Sequence, residues 1–420
     1  MAYAGVVAST AWSWLLDNLV FLNLILTIGI IFFQRRDPKS VWTWLLAIYF
    51  IPVFGVVFYL LFGQNLKKSR MFRVKGMEDR LNFPVRHQER LLKWEGEYGI
   101  GPEGRQFRDY ASLILYNLET TGSVLTANQQ VRIFTDGQAK FEDLRREMRR
   151  ARHFIHIQYY IIKNDELFDS IVPILIEKVR EGVEVRILYD GMGGRFMPKS
   201  RWEQLRAAGV KAGAFFPPFL GWLNLRVNYR NHRKIVVIDG KIGFVGGFNI
   251  GREYISKDPR FGYWRDTHLK ITGEAAIGLQ IRFALDWNYA TRENLFQELR
   301  YFGDEAGEAR ERLDGVQKVL WPGEEQEDEI HIQIIASGPD TREPHIRNNY
   351  LELFHKARHH IYIQTPYFIP DDAIFSALKI AAQSGVDVRL MIPCKPDHPF
   401  VYYLLLCGRA SGLRGALLYL

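Results

Sequence analysis

Residues 231–249 read NHRKIVVIDGKIGFVGGFN. Two short apolar runs, IVVI and IGFV, flank Asp239-Gly240, a dipeptide suited to a tight hairpin turn. On a strand, side chains two apart share a face, so His232 and Lys234 project together while Arg233 points away. Asp239 stands at odd spacing from His232 and faces the other way while the strand stays regular. The hairpin returns the chain so that Gly246, Gly247 and Asn249 lie beside the His232–Lys234 pair.

An imidazole next to an ammonium suits a phosphoryl group. Lys234 can neutralise its oxygens, and His232 can attack phosphorus or move a proton. Gly246 and Gly247 let a phosphodiester approach the backbone, and the Asn249 amide can donate to it. For His-x-Lys taken alone, a plainer account also stands, in which both residues cap the end of a surface strand.

Outward from this stretch, short β-rich runs alternate with helical patterns. VRIFTDG, HFIHIQYYI and VEVRILYDG read as strands, and FEDLRREMRRA and FDSIVPILIEKVREG as amphipathic helices, which together specify an α/β architecture. The chain also repeats itself. ARHFIHIQYYIIKND at 151–165 returns as ARHHIYIQTPYFIPDD at 357–372, EGVEVRILYDG at 181–191 as SGVDVRLMIPC at 384–394, and LRAAGVKAGAFF at 205–216 more weakly as RASGLRGALLY at 409–419. Each echo lies a little over two hundred residues downstream. The expected organisation is a first lobe over 111–301, an acidic linker over 302–329 and most of a second lobe over 330–420, preceded by a basic connector over 64–110.

Residues 11–33 and 41–62 are long apolar runs joined by the polar turn QRRDPKS, and they read as two helices crossing a ~30 Å hydrocarbon core. Lys67, Lys68, Arg70, Arg73 and Lys75 follow the second run, and no Lys or Arg precedes the first, which places the remainder in the cytoplasm. The formal charge of +8 favours an anionic partner, either nucleic acid or an acidic membrane surface. Cys394 and Cys407 match no metal or redox spacing, and the Gly-rich YDGMGGRF at 189–196 lacks the ending of a nucleotide-binding loop. No metal or other cofactor is expected.

The full pattern, His232-x-Lys234 with four residues to Asp239 and then Gly-Gly-x-Asn, resembles the signature of the phospholipase D superfamily. PVFGVVFYLLFG in the N-terminal hairpin, YWRDTHLKITG at 263–273 and IIASGPD at the start of the second lobe are similar to the bacterial cardiolipin synthase family. The resemblance implies an α/β fold of two phospholipase D-like lobes, each a mixed β-sheet flanked by helices, the second incomplete, after a transmembrane hairpin. It implies that His232 is either the nucleophile that attacks the phosphodiester to give a phosphohistidine or the acid/base that serves the leaving alcohol, that Lys234 and Asn249 hold phosphate oxygens beside Gly247, and that Asp266 hydrogen-bonds the far nitrogen of His232. Asp239 belongs to the motif but supports the architecture. The implied reaction passes a phosphatidyl group from one phosphatidylglycerol to a second with release of glycerol, on an anionic membrane and with no nucleic acid involved. In the family a second such motif completes the site. Continuing the repeat places it about ten to fifteen residues past Leu420. A truncated sequence, a homodimer that brings two His232 residues together, and an inactive fragment are the three readings of this. A phospholipase D-type hydrolase and a silent membrane-tethered binding partner remain the alternative functions. The aromatic stretch FFPPFLGWLNLRVNYR at 215–230 is a candidate loop at the headgroup boundary.

Overall fold

The computed structural model describes residues 38–51, 109–216, 230–302, most of 330–392 and 417–419, with a few isolated positions toward the N-terminus. It divides into two compact units, Met1–Met71 with Phe216–Asn231, and Phe72–Phe215 with His232–Leu420. In the first unit, helix α1 (Pro38–Phe50) buries Ile48, and Trp44 meets Tyr59 edge-on at 5.4 Å. Its Trp42, Tyr49 and Phe50 are exposed. Among the described residues no helix is long and apolar enough to cross a membrane. Most of the two expected spans, 11–33 and 41–62, lies outside the described residues, as do nearly all of the connector, the linker and the stretch at 215–230.

The second unit is built on an eight-stranded mixed sheet. Its elements in chain order are α2 (Ala111–Thr121), β1 (Thr126–Asp136), α3 (Gly137–Arg150), β2 (Phe154–Tyr159), α4 (Val172–Arg180), β3 (Glu184–Asp190), α5 (Lys199–Ala207) and β4 (Lys211–Phe215). β5 (Ile235–Ile238), β6 (Ile242–Gly246), β7 (Arg265–Gly273), α6 (Ala275–Thr291) and β8 (Ile330–Ile332) follow. The strand order is β4-β3-β2-β5-β6-β7-β1-β8. β2, β3 and β4 run parallel, and the remaining pairs are antiparallel. β8, at the start of the expected second lobe, pairs with β1 of the first sheet.

β2 and β5 are buried along their whole length, as strands covered on both faces must be. Phe141, Leu144 and Met148 of α3 and Leu175 of α4 pack on Ile155, Ile157 and Val236 on one face. α6 covers the other, where Gly243 lets it come close: a Cβ there would stand 2.6 Å from Leu279. Asp239 and Gly240 both have positive φ, 52° and 67°, which is the backbone of a type I′ hairpin turn and matches the twist of β5 and β6.

The internal repeat is visible in the backbone. α7 (His345–Lys356), β9 (His360–Gln364), α8 (Asp372–Gln383), β10 (Asp387–Ile392) and β11 (Leu417–Tyr419) complete the chain, with β9, β10 and β11 forming a parallel sheet. Phe154 pairs with Glu184 in the first copy and His360 with Asp387 in the second. Gly182 and Gly385, at φ 88° and 93°, turn the chain into the equivalent strands β3 and β10. Asp165 and Asp371 each cap the helical turn that follows. One difference separates the copies: His156, Gln158 and Arg186 are buried beneath α6, and their counterparts Tyr362, Gln364 and Arg389 are exposed.

Candidate active site

β5 is the central strand that aims the motif. His232, Arg233 and Lys234 lead directly into it, and their alternation puts Arg233 against α6 and the other two on the opposite side. Arg233 Nη1 donates to both carboxylate oxygens of buried Asp286, at 2.8 and 2.6 Å, and Gln158 Nε2 donates to the same carboxylate at 2.7 Å. The middle residue of the motif is thereby tied to both a helix and a neighbouring strand. The His232 ring rests against Tyr160, just past the end of β2, with centroids 4.6 Å apart. Tyr160 is backed in turn by the turn at Gly193, where a Cβ would stand 1.9 Å from its carbonyl oxygen. YDGMGGRF is thus a support for the site, consistent with reading it as a strand-to-loop turn.

Lys234 is buried and His232 exposed. Lys234 Nζ stands 2.9 Å from His232 Nδ1 and donates to the His232 carbonyl oxygen at 2.6 Å. Burial pushes the ammonium down to about 7, and the Asp266 carboxylate opposes that fall. Partial desolvation, then the Lys234 charge, push the His232 imidazole down to about 4, which leaves it neutral with a lone pair near pH 7. An anionic phosphodiester entering here favours the charged form of both groups.

Asp266 opens β7, and its Oδ1 accepts from the Thr267 N–H at 2.7 Å. The expected hydrogen bond between Asp266 and His232 is absent among the described residues; the carboxylate acts on Lys234 instead, while Nδ1 of His232 faces the Lys234 ammonium. Burial raises Asp266 above the usual carboxylate range, against the pull of the Thr267 N–H and Lys234. Gly246 and Gly247 serve this arrangement. A Cβ on Gly247 would lie 1.9 Å from Asp266 Oδ1, and one on Gly246 would lie 2.4 Å from His268 Cα. Close approach of β7, which the sequence pattern did not reveal, is therefore a requirement for glycine here, alongside the expected approach of a phosphodiester.

Asn249 is buried, with Oδ1 accepting from the Ile161 N–H at 3.0 Å and Nδ2 donating to the Tyr254 hydroxyl at 2.9 Å. An amide nitrogen carries two hydrogens, so donation to a phosphate is compatible with the Tyr254 bond. Asp239 lies beyond the far end of β5, away from His232. Its carboxylate accepts from the N–H groups of Arg152, His153 and Phe154 at 2.8 to 2.9 Å, which anchors the start of β2. The structure thus brings His232, Lys234, Gly247, Asn249 and Asp266 together and leaves Asp239 in an architectural position.

Three residues near the site were not legible as such. Asp286 acts through bonds from Arg233 and Gln158, both distant in the chain, and Tyr254 through the bond from Asn249, five residues before it. His268, fully buried beside Gly246 and with no hydrogen bond to either ring nitrogen among the described residues, is pushed well below its ordinary value by burial and by Lys140 and Lys234. The alternation of THLKI along β7 sets His268 on one face with Lys270, opposite Leu269 and Ile271, so nothing in the pattern marks its burial.

A neutral imidazole and a neighbouring ammonium at a sheet end, with glycine, asparagine and aspartate nearby, are chemically suited to a phosphodiester. The model of the PLD-like domain of cardiolipin synthase matches residues 144–259 and 350–406, and the N-terminal model of phospholipase D-nucleases matches 21–64. The chain is 45% identical over 392 residues to a cardiolipin synthase of Staphylococcus aureus strain Mu50, covering 93% of this chain and 75% of that one. It is 42% identical over 416 residues to the major cardiolipin synthase ClsA of Bacillus subtilis strain 168, covering 97% and 81%. The chain belongs to the cardiolipin synthase family. Among solved structures, the phosphatidylserine synthase of Haemophilus influenzae Rd KW20 matches with a TM-score of 0.45 at 17% identity, covering 66% of this chain and 64% of that one.

Proposed function

We propose that this chain catalyses cardiolipin synthesis, transferring the phosphatidyl group of one phosphatidylglycerol to the free headgroup hydroxyl of a second and releasing glycerol. The observation that carries the reading is the 2.9 Å contact between Lys234 Nζ and His232 Nδ1, in a chain 45% identical to a cardiolipin synthase. His232 attacks phosphorus, the bond to the glycerol oxygen breaks, and a phosphatidyl-histidine forms. The headgroup hydroxyl of the second lipid then attacks the same phosphorus, loses its proton, and returns His232 free. Lys234 and Asn249 hold the phosphate oxygens, and Asp266 maintains the charge on Lys234. In a pair of chains a second His232, protonated once the anionic phosphodiester is bound, gives its proton to the leaving glycerol oxygen and then takes the proton of the attacking hydroxyl.

In this reading residues 11–33 and 41–62 anchor the protein in the bacterial cell membrane, with the catalytic lobes on the cytoplasmic side. Support comes from the apolar length of these runs, the basic residues after them and the match of residues 21–64 to an N-terminal family model. The test is product analysis by mass spectrometry after reconstitution of the chain in phosphatidylglycerol vesicles. Equal amounts of cardiolipin and glycerol support transfer between lipids. Phosphatidate with glycerol as the only other product identifies a hydrolase and overturns the reading.

A further inference from the structure

Two loops lie beside the site. Residues 257–264 lead into β7, residues 365–370 leave β9, and Arg265 at the start of β7 donates to Gln364 at the end of β9. The second loop also brings Tyr367 close enough to Tyr254 for its hydroxyl to bear on that residue's ionisation.

A line of aromatic edges runs outward from Asn249. Tyr254 takes the Asn249 amide hydrogen, Trp264 meets Tyr254 edge-on at 5.0 Å, Phe261 meets Trp264 edge-on at 5.4 Å, and the Arg260 guanidinium lies over Phe261 at 5.2 Å. Burial falls along this line, from buried Tyr254 through half-buried Trp264 and Phe261 to exposed Arg260. On the two loops, Tyr263 is 71% exposed, Ile369 58% and Tyr367 43%. Large apolar side chains gathered at the mouth of a site mark an interaction surface more than scattered ones would.

The charge on the first loop is basic, and Asp371, just past the uncharged second loop, is paired with Arg347. Lys257 and Arg260 are exposed, and Asp258 is engaged by the Arg260 N–H at 3.0 Å and by Arg252 at 3.5 Å. Tyrosine and tryptophan, apolar with one polar tip, fit the boundary between headgroups and acyl chains, and Lys and Arg fit the phosphates just above it. An aromatic rim with basic flanks, on a chain of formal charge +8, is complementary to an anionic lipid surface.

We propose that the rim formed by residues 257–264 and 365–370 docks on an anionic bilayer, so that the opening beside Asn249 faces the headgroup layer. A lipid then reaches His232 along the Phe261–Trp264–Tyr254 line without leaving the membrane. The proposal rests on the lipid-substrate reading above and adds to it a surface distinct from the N-terminal anchor.

The test uses the full chain with Cys394 and Cys407 replaced by Ser and one spin label introduced through Tyr263→Cys, Ile369→Cys or Arg180→Cys. Arg180 ends α4, at the opposite end of the sheet from the site. In phosphatidylglycerol vesicles, labels at 263 and 369 are expected to be shielded from an aqueous nickel complex and accessible to oxygen, and the label at 180 to show the reverse. Labels at 263 and 369 as open to nickel as the one at 180 would overturn the docking. Cardiolipin formation by the unlabelled chain is measured in the same vesicles. Its presence with water-exposed labels sinks the docking alone, whereas its absence with shielded labels sinks the lipid-transfer reading and leaves the docking supported. As a second reading, Tyr263→Asp combined with Ile369→Asp is expected to cost about tenfold on vesicles and nothing on monomerically dispersed short-chain phosphatidylglycerol. Equal losses on both substrates would contradict the proposal.

Discussion

The Asp266 carboxylate occupies the space that a side chain on Gly247 would need, 1.9 Å from where its Cβ would stand. Strand β7 can approach β6 this closely only because residue 247 has no side chain, and that approach sets Asp266 where it acts on Lys234. Gly247→Ala is therefore expected to displace the carboxylate and to lower kcat/KM about a hundredfold, the scale of a 1 Å misplacement in an active site. A folded variant with unchanged rate would show that this placement is irrelevant to turnover.

The pH profile follows from the same contact. In the free enzyme, His232 loses its lone pair as pH falls through about 4, and Lys234 loses its charge as pH rises through about 7. kcat/KM is thus expected to rise on the acid side and fall on the alkaline side of a bell between these values. Asp266→Asn removes the group that raises Lys234, so the alkaline limb moves to lower pH. Lys234→Arg keeps its charge and moves that limb up by at least about two pH units, even though a guanidinium lowers the rate by its different shape. A limb that stays in place in both variants would remove Lys234 as its source.

Asp239 separates motif membership from chemistry. Its carboxylate holds three backbone N–H groups at the start of β2, and its own backbone lies in the left-handed region at φ 52°. Asp239→Ala is expected to destabilise the chain by about 3 kcal/mol, by thermal unfolding in detergent. Asp239→Asn, which keeps one acceptor and tolerates the backbone, is expected to cost about half as much. Activity per folded molecule is unchanged in both; a large loss without destabilisation would return Asp239 to the catalytic group.

Asp286 and Arg233 form a pair that fixes the motif from behind. Asp286→Ala leaves the Arg233 guanidinium and the Gln158 amide without their acceptor, and the expected loss is about 3 kcal/mol of stability. The double replacement Arg233→Met with Asp286→Leu is expected to regain most of that stability and little of the activity, because apolar packing restores the core but not the aim of His232. Full recovery of activity in the double variant would show that the pair has no role in positioning.

Much of this was legible in the sequence because it rests on local periodicity. IVVI and IGFV around Asp239-Gly240 fold as the hairpin their apolar runs and turn chemistry specify, and the two-copy pattern of strand, helix and strand returns in the matching registers of β2–β3 and β9–β10. Helix α6 was not legible. Its buried face mixes Ala276, Leu279, Phe283 and Trp287 with Gln280 and Asp286, whose partners His156, Gln158 and Arg233 lie far away in the chain, and Ile277, Ile281 and Leu285 lie elsewhere on it, so no contrast between faces announces it. The same holds for Asp266. Its neighbourhood with Gly247 and Lys234 arises from strand pairing across the sheet, whereas the family resemblance implied a different partner, His232. Long-range pairs of single polar side chains carry no period, which is why the site's residues were readable and several of its contacts were not.

The central claim is that His232 carries the phosphatidyl group between two lipids, and the most direct measurement is to trap it there. Reconstituted chain is mixed with phosphatidylglycerol, quenched within one turnover and digested, and the peptide containing residue 232 is weighed by mass spectrometry. The account predicts a phosphatidyl adduct on His232 that forms before cardiolipin appears, is chased by added phosphatidylglycerol, and is lost together with cardiolipin in His232→Ala. Cardiolipin made at the ordinary rate by His232→Ala would contradict it.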